Sequence, residues 1–201
     1  MQTPCAFPPP SGSDGAPARP LPGDLAVWIF ILAELLVFAL FFLAYTWARS
    51  RDVALFDAMQ LTLDRRAGTA NTVLLVSGSW CVARAVHAAQ LDRRHVAARW
   101  LLGGIACGAG FVAVKTFEYV AKLAAGITLS SNDFYMFYLS LTFFHFLHVI
   151  LGIVVLVVLW AGTRQGRYGP GRMSGLESGA SYWHMVDLVW LVLFPLVYVL
   201  H

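Results

Sequence analysis

Charge is what this sequence has least of. Of its 201 residues only 12% are Asp, Glu, Lys or Arg, whereas 59% are hydrophobic. The mean hydropathy is +0.68. Soluble domains run at roughly a quarter charged, so a water-soluble globule is excluded. The length allows one compact membrane bundle rather than several domains. Cysteine is scarce as well. Cys5, Cys81 and Cys107 are scattered and form no CxxC, no CxxCH haem-attachment site and no paired framework. Cys81 and Cys107 read as small packing residues. The net charge of +3 says little about partners, and no basic block is dense enough for nucleic acid. There is no nucleophile–base arrangement, phosphate loop or nucleotide fingerprint. No autonomous active site is legible.

What is there is apolar and punctuated. Residues 1–23, "MQTPCAFPPPSGSDGAPARPLPG", are rich in Pro, Gly and Ser. They lack the positive start and apolar centre of a secretory signal. Such a composition cannot bury a core, so a disordered tail is expected there, followed by an uncleaved anchor. Beyond it, five segments reach the ~20 apolar residues needed to span a bilayer. They lie near Leu25–Trp47, Asn71–Ala89, Trp100–Leu123, Tyr135–Trp160 and Tyr182–Leu200. The expected fold is all-α, a polytopic transmembrane bundle of five helices over residues 24–201. No internal repeat of the inverted-repeat transporter kind is visible. The gap "DVALFDAMQL" predicts a short amphipathic turn lying on the surface. The last gap, "AGTRQGRYGPGRMSGLESGAS", reads as a loop. Trp28, Trp47, Trp100, Tyr135, Trp160, Tyr182 and Trp183 fall near segment ends, as an aromatic belt would place them. Arg19, Arg93, Arg94, Arg99, Arg164, Arg167 and Arg172 fall on the side of the N-terminus. Arg49, Arg51, Arg65, Arg66 and Lys122 fall on the other. The larger set favours a cytoplasmic N-terminus, although the flanks of the first span alone argue the opposite.

An ionisable side chain in hydrocarbon is expensive, so each is a site hypothesis. Glu34 in "FILAELLVFALFF" lies ten residues past Asp24, roughly 15 Å into the bilayer. It serves either a structural hydrogen bond or a function. The third span has a face of Gly104, Gly108, Phe111, Lys115, Glu118 and Lys122. The Gly104–Gly108 pair is a GxxxG that admits a neighbouring backbone. Lys115, Glu118 and Lys122 predict a self-satisfied ion cluster near the membrane surface, of a kind that also suits a lipid headgroup. On the fourth span Leu141, His145, His148 and Gly152 share a stripe, and small Gly152 implies that the stripe meets another helix. On the fifth, His184 and Asp187 are three apart, and Pro195 should weaken the helix near its end. These are the right types for a carboxylate–histidine metal site. Yet two histidines at i, i+3 without a Glu-x-x-His repeat are a weak pattern. His145 and His148 cannot both hold one haem iron from one helix; His145 with His184 is the pairing left open.

Five stretches, taken together and in order, resemble subunit III of the haem–copper oxidases in its five-helix form. They are "PGDLAVWIFILAELLVFALFF", "DVALFDAMQLTLD" followed by "ANTVLLVSG", "KTFEYVAKLAAGITLSSNDF", "FFHFLHVILG" and "YWHMVDLVWLVLFPLVYVL". The start of the first span is most similar to NorE-type proteins associated with bacterial nitric oxide reductase. The resemblance implies a non-catalytic multi-pass subunit of the bacterial inner membrane, N-terminus cytoplasmic and C-terminus periplasmic. It implies no haem, copper or other cofactor in this chain, apart from a bound phospholipid. Its partner would be the haem-bearing catalytic subunit of a cytochrome c oxidase or nitric oxide reductase, whose assembly, stability and proton uptake it would support. Glu34, Glu118, His145, His148, His184 and Asp187 match recurrent polar positions of the family, expected to knit the bundle and line a lipid cleft. His145 and His148 are then expected to hydrogen-bond across helix contacts, reaching Glu118 or Asp187. Phe146 stands where many members have Gly, which would alter the cleft. Two other classes compete: a small transporter or proton-conducting protein using the buried Glu, His and Asp, and an intramembrane metalloenzyme.

Overall fold

A computed structural model describes residues 24–199. The disordered tail expected over residues 1–23 lies outside the described residues. Among those described, no strand forms, and one isolated bridge pairs Gly169 with Arg172. The helices are α1 (Leu25–Arg51), α2 (Val53–Gln60), α3 (Arg65–Gln90), α4 (Arg94–Ala124), α5 (Asp133–Arg164) and α6 (Ser174–Phe194). All but α2 are long and apolar enough to cross a membrane, the last counted through Val199.

The helices begin earlier than their apolar cores because capping residues sit in the polar gaps. Asp64 Oδ1 accepts from the amides of Arg66 and Ala67, so α3 starts six residues before Asn71. Asn132 does the same for α5 through Tyr135, as Asp24 does for α1 through Ala26. The last gap is a loop only between α5 and α6. Its second half, "SGLESGAS", is the first two turns of α6. Packing decides this against local propensity: Gly179 lies so close to α5 that a Cβ there would press on Leu159 and Val155. Ser178 Oγ also accepts from the backbone of Asp24, at 2.9 Å.

This earlier start changes the aromatic belt. Trp183 lies in the third turn of α6, 1% exposed, and Tyr135 and Tyr182 are also buried. Trp183 fills a slot floored by glycines of three helices, Gly78, Gly108 and Gly152. At the chain end, Pro195 has no N–H to continue the α-helical ladder. The backbone continues as a π-helical turn, Pro195–Val199, which carries Tyr198 into the core.

Helices α3 to α6 form a ring in which each packs on its sequence neighbour and α6 closes back on α3. Helix α1 lies outside it, against α5 and α6. Its buried residues, Ile31, Phe38 and Tyr45, are seven apart, so it meets the ring along a narrow seam. The rest of its surface faces outward, with Leu32, Leu36, Leu40 and Leu43 exposed. The "DVALFDAMQL" segment does form a helix, but α2 does not simply lie on the surface. It buries Phe56 edge-on against Tyr45 and Phe134, with ring centroids 5.4 and 5.5 Å apart. Gln60 Nε2 donates to Tyr45 Oη at 3.3 Å.

Candidate functional site: buried polar groups between the helices

The polar residues of the spans fall into separate groups at different depths. Midway along α1 and α5, Glu34 Oε2 lies 3.1 Å from His148 Nε2. The other ring nitrogen, Nδ1, lies 2.8 Å from the carbonyl of Phe144. A carbonyl only accepts, so Nδ1 carries hydrogen. The contact between Nε2 and the carboxyl therefore needs one further proton, on the carboxyl or on the ring. Phe38 flanks the pair, its ring centroid 5.3 Å from that of His148.

Nearer the opposite end from the N-terminus lies the second group. Lys115 is fully buried, and its Nζ donates to Glu118 Oε2 at 3.0 Å. Glu118 Oε1 accepts from Tyr198 Oη at 2.9 Å and from Tyr138 Oη. Lys115 also donates to both hydroxyls, and its ammonium lies 5.1–5.7 Å from the rings of Tyr119, Tyr138, Trp190 and Tyr198. This is a buried cluster tying α4, α5 and the chain end, and it contains the expected Lys115–Glu118 pair. Lys122 does not join it. Its Nζ reaches the Thr62 carbonyl at 3.2 Å and the Tyr135 ring, pinning the α2–α3 loop.

The third group joins α6 to α3. His184 Nδ1 lies 3.2 Å from Ser79 Oγ, and Trp190 Nε1 donates to Thr72 Oγ1 at 2.9 Å. Asp187 is buried nearby on α6, with its Oδ1 unpartnered.

Two expectations change here. His148 reaches Glu34, not Glu118 or Asp187. His145 reaches nothing: both ring nitrogens are buried without a hydrogen-bond partner. It is packed as an aromatic ring instead, with centroids 5.2 Å from Trp190, 5.7 Å from Phe111 and 6.3 Å from Phe38. Among the described residues, no three His, Cys, Asp or Glu side chains gather as metal ligands would. The glycines sit at close helix contacts. A Cβ on Gly104 would lie 3.1 Å from Val82, on Gly108 2.8 Å from Trp183, and on Gly152 3.0 Å from Trp183. Phe146 packs on Tyr119 of α4 and on Phe143.

Reading from sequence missed the tyrosines of the Lys115 cluster. Tyr138 continues the stripe of Leu141, His145 and His148 one turn back, so it was findable. Tyr198 lies beyond Pro195, where the helical period breaks and no spacing argument reaches it.

Comparison with known proteins places these groups in context. The family model for cytochrome c oxidase subunit III matches residues 23–201, the whole of the bundle described above. The chain belongs to that family. A cytochrome c oxidase subunit 3 of Thermostichus vulcanus is 30% identical over 88% of this chain and 86% of its own. One from Synechocystis is 34% identical over 87% of this chain and 74% of its own. A heme-copper oxidase subunit I+III of Aeropyrum pernix is 32% identical over 89% of this chain, which covers 23% of that longer protein. Family membership fits a multi-pass membrane protein whose buried polar groups are divided between helix contacts rather than gathered at one centre.

Proposed function

We propose that this chain is the accessory, non-catalytic subunit III of a haem–copper respiratory complex in a bacterial inner membrane, with its N-terminus cytoplasmic. Its partner is the haem-bearing catalytic subunit, whose assembly, stability and proton uptake it supports. The observation that carries the reading is the Aeropyrum pernix protein, whose name joins subunit I and subunit III in one polypeptide with a segment matching this bundle. Fusion fits two chains that act as a unit. Helix α1 fits a surface meant for company, because most of it is apolar and unburied by its own bundle.

Within that role, Glu34, Glu118, His148, His184 and Asp187 fasten helices to one another, and His145 is a packing ring. The carboxyl–imidazole contact of Glu34 and His148 is the part of the bundle that suits a proton-uptake path. An apolar groove of about 440 Å³ between α1, α5 and α6 suits a phospholipid tail. Val27, Phe30, Leu151, Val158 and Tyr182 line it. Tyr182 also donates to the His148 carbonyl, at 3.4 Å, so the groove ends beside the Glu34–His148 pair. The bulk of Phe146 faces α4 and leaves the groove open.

The test is gentle detergent purification of the tagged chain from its native membrane. Haem absorbance should co-purify, and oxygen or nitric oxide consumption by that material names the complex. The chain reconstituted alone should move no protons. Purification free of any haem protein, with proton flux from the chain alone, would overturn the reading in favour of a transporter.

A further inference from the structure

At the membrane face that holds the start of α1, the α3–α4 turn and the end of α5 border an open cavity of about 670 Å³. This lies within the ~300–1,000 Å³ of small-ligand pockets. Asp92, Arg93, Arg94, His95, Ala98 and Arg164 line it. Three guanidinium groups and one carboxylate line it, an excess of two positive charges with His95 left out of the count. Asp92 adopts a left-handed conformation, φ 53°, which turns the chain sharply and sets Arg93 and Arg94 at the head of α4.

The charges are poorly neutralised. Asp92 Oδ1 lies 3.5 Å from Arg94 Nε, with both side chains more than half exposed, so this pair is long and solvated. Among the described residues, Arg93 and Arg164 have no carboxylate partner. Arg164 is held from below by Trp160, its guanidinium 5.1 Å from the ring centroid. Arg94 reaches across to the α5–α6 loop, where its Nη1 lies over Gly166 so closely that a Cβ there would be 2.6 Å away. The arginines thus come from two chain segments, the head of α4 and the last residue of α5. Planar guanidinium forks match phosphate oxygens bidentately, and basic pockets at a membrane face suit anionic headgroups.

We propose that this cavity binds a phosphate group, carried by an anionic phospholipid headgroup or free as the inorganic ion. The site lies on the other side of α5 from the apolar groove and does not depend on the function proposed above. The experiment uses the full chain in detergent, stripped of lipid, with thermal unfolding followed by tryptophan fluorescence. It is titrated with dioctanoyl phosphatidylglycerol, dioctanoyl phosphatidylcholine and sodium phosphate at constant ionic strength. Phosphatidylglycerol should raise Tm saturably and phosphatidylcholine should not. Phosphate matching phosphatidylglycerol identifies the free ion as the ligand; phosphatidylglycerol alone acting identifies the lipid. Arg93→Gln/Arg164→Gln should weaken half-saturation on the order of tenfold or more, since each lost bond to a charged group is worth about one power of ten. Both side chains are exposed, so the unliganded Tm should not move; Arg93→Gln alone serves if it does. Equal responses to the two lipids with none to phosphate, or variants that titrate as the wild type does, would overturn the proposal. So would variants that bind phosphatidylglycerol normally yet shed the haem subunit on purification, which would make the patch a protein contact.

Discussion

Glu118→Gln should be among the most damaging single changes in this protein, although it alters one atom. Glu118 gives Lys115 its carboxylate partner, and the two side chains are 8% and 0% exposed. Without that carboxylate, the remaining neighbours of Lys115 are hydroxyls and ring faces. Removing one partner of a buried ion pair typically costs about 3–5 kcal/mol, because the survivor keeps its desolvation penalty without compensation. Lys115→Met is the milder change, about 1–3 kcal/mol. It leaves Glu118 with the hydroxyls of Tyr138 and Tyr198, and hydrogen bonds to a charged acceptor hold roughly 1.5–3 kcal/mol each. The double variant Lys115→Met/Glu118→Gln should be no worse than Glu118→Gln alone, since the stranded charge has gone. The assay is unfolding of the purified chain in mixed dodecylmaltoside–dodecylsulfate micelles, followed by circular dichroism. A coupling of about 2 kcal/mol or more is expected. If the two single costs add to within ~0.5 kcal/mol in the double variant, the residues act independently and the reasoning fails.

Gly108→Ala should destabilise the bundle by about 1–3 kcal/mol through overpacking, because its Cβ would lie 2.8 Å from Trp183 and 2.9 Å from Ile153. Trp183→Phe in the same chain should recover part of the loss, and failure to do so would locate the clash elsewhere. The two histidines of α5 should separate cleanly. His148→Leu removes the partner of Glu34 and should cost the ~0.6–2 kcal/mol of an interhelical bond without changing any haem spectrum of the complex. His145→Phe keeps the ring and discards two unpartnered nitrogens, so stability should hold or rise. A loss above ~2 kcal/mol would mean that those nitrogens have a partner after all.

The spans were legible because hydrocarbon leaves a chain few choices. Backbone groups in a bilayer must bond within their own segment, so an apolar run long enough to cross is a helix whatever else it touches. Helix ends were less legible. Asp64 and Asn132 extend α3 and α5 into polar stretches, and hydropathy does not register a cap. The first turns of α6 were read as loop because Ser and Gly dominate them; what makes them helical is a close fit to α5, a tertiary fact. The same limit applied to partners. Glu34 and His148 were each conspicuous as polar residues in apolar surroundings, but spacing along one helix does not say which other helix it faces. His145 and His148 lie three apart on one stripe, about 60° apart around the axis. That angle turns one ring toward α1 and a carboxylate and the other toward Phe111 and Trp190.

Helix α1 is consequently the element with most to gain from that small difference. The ring of α3 to α6 is held by Trp183 in its glycine slot and by the sealed Lys115 cluster, neither of which involves α1. The contacts that hold α1 include its row of Ile31, Phe38 and Tyr45, the Glu34–His148 bond, the Phe30 and Phe41 rings on Tyr182 and Phe144, and the Asp24 amide on Ser178. A seam that narrow buries little area, and area is what stabilises apolar contact within a protein. In a bilayer even that is weakened, because lipid tails solvate leucine as well as another helix does. Close packing and interhelical hydrogen bonds must then supply the attachment, which is why the bond in the middle of α1 matters beyond its own energy. It fixes the rotation of α1 about its axis and so decides that Val27 and Phe30 line the groove while Leu32, Leu36, Leu40 and Leu43 stay exposed.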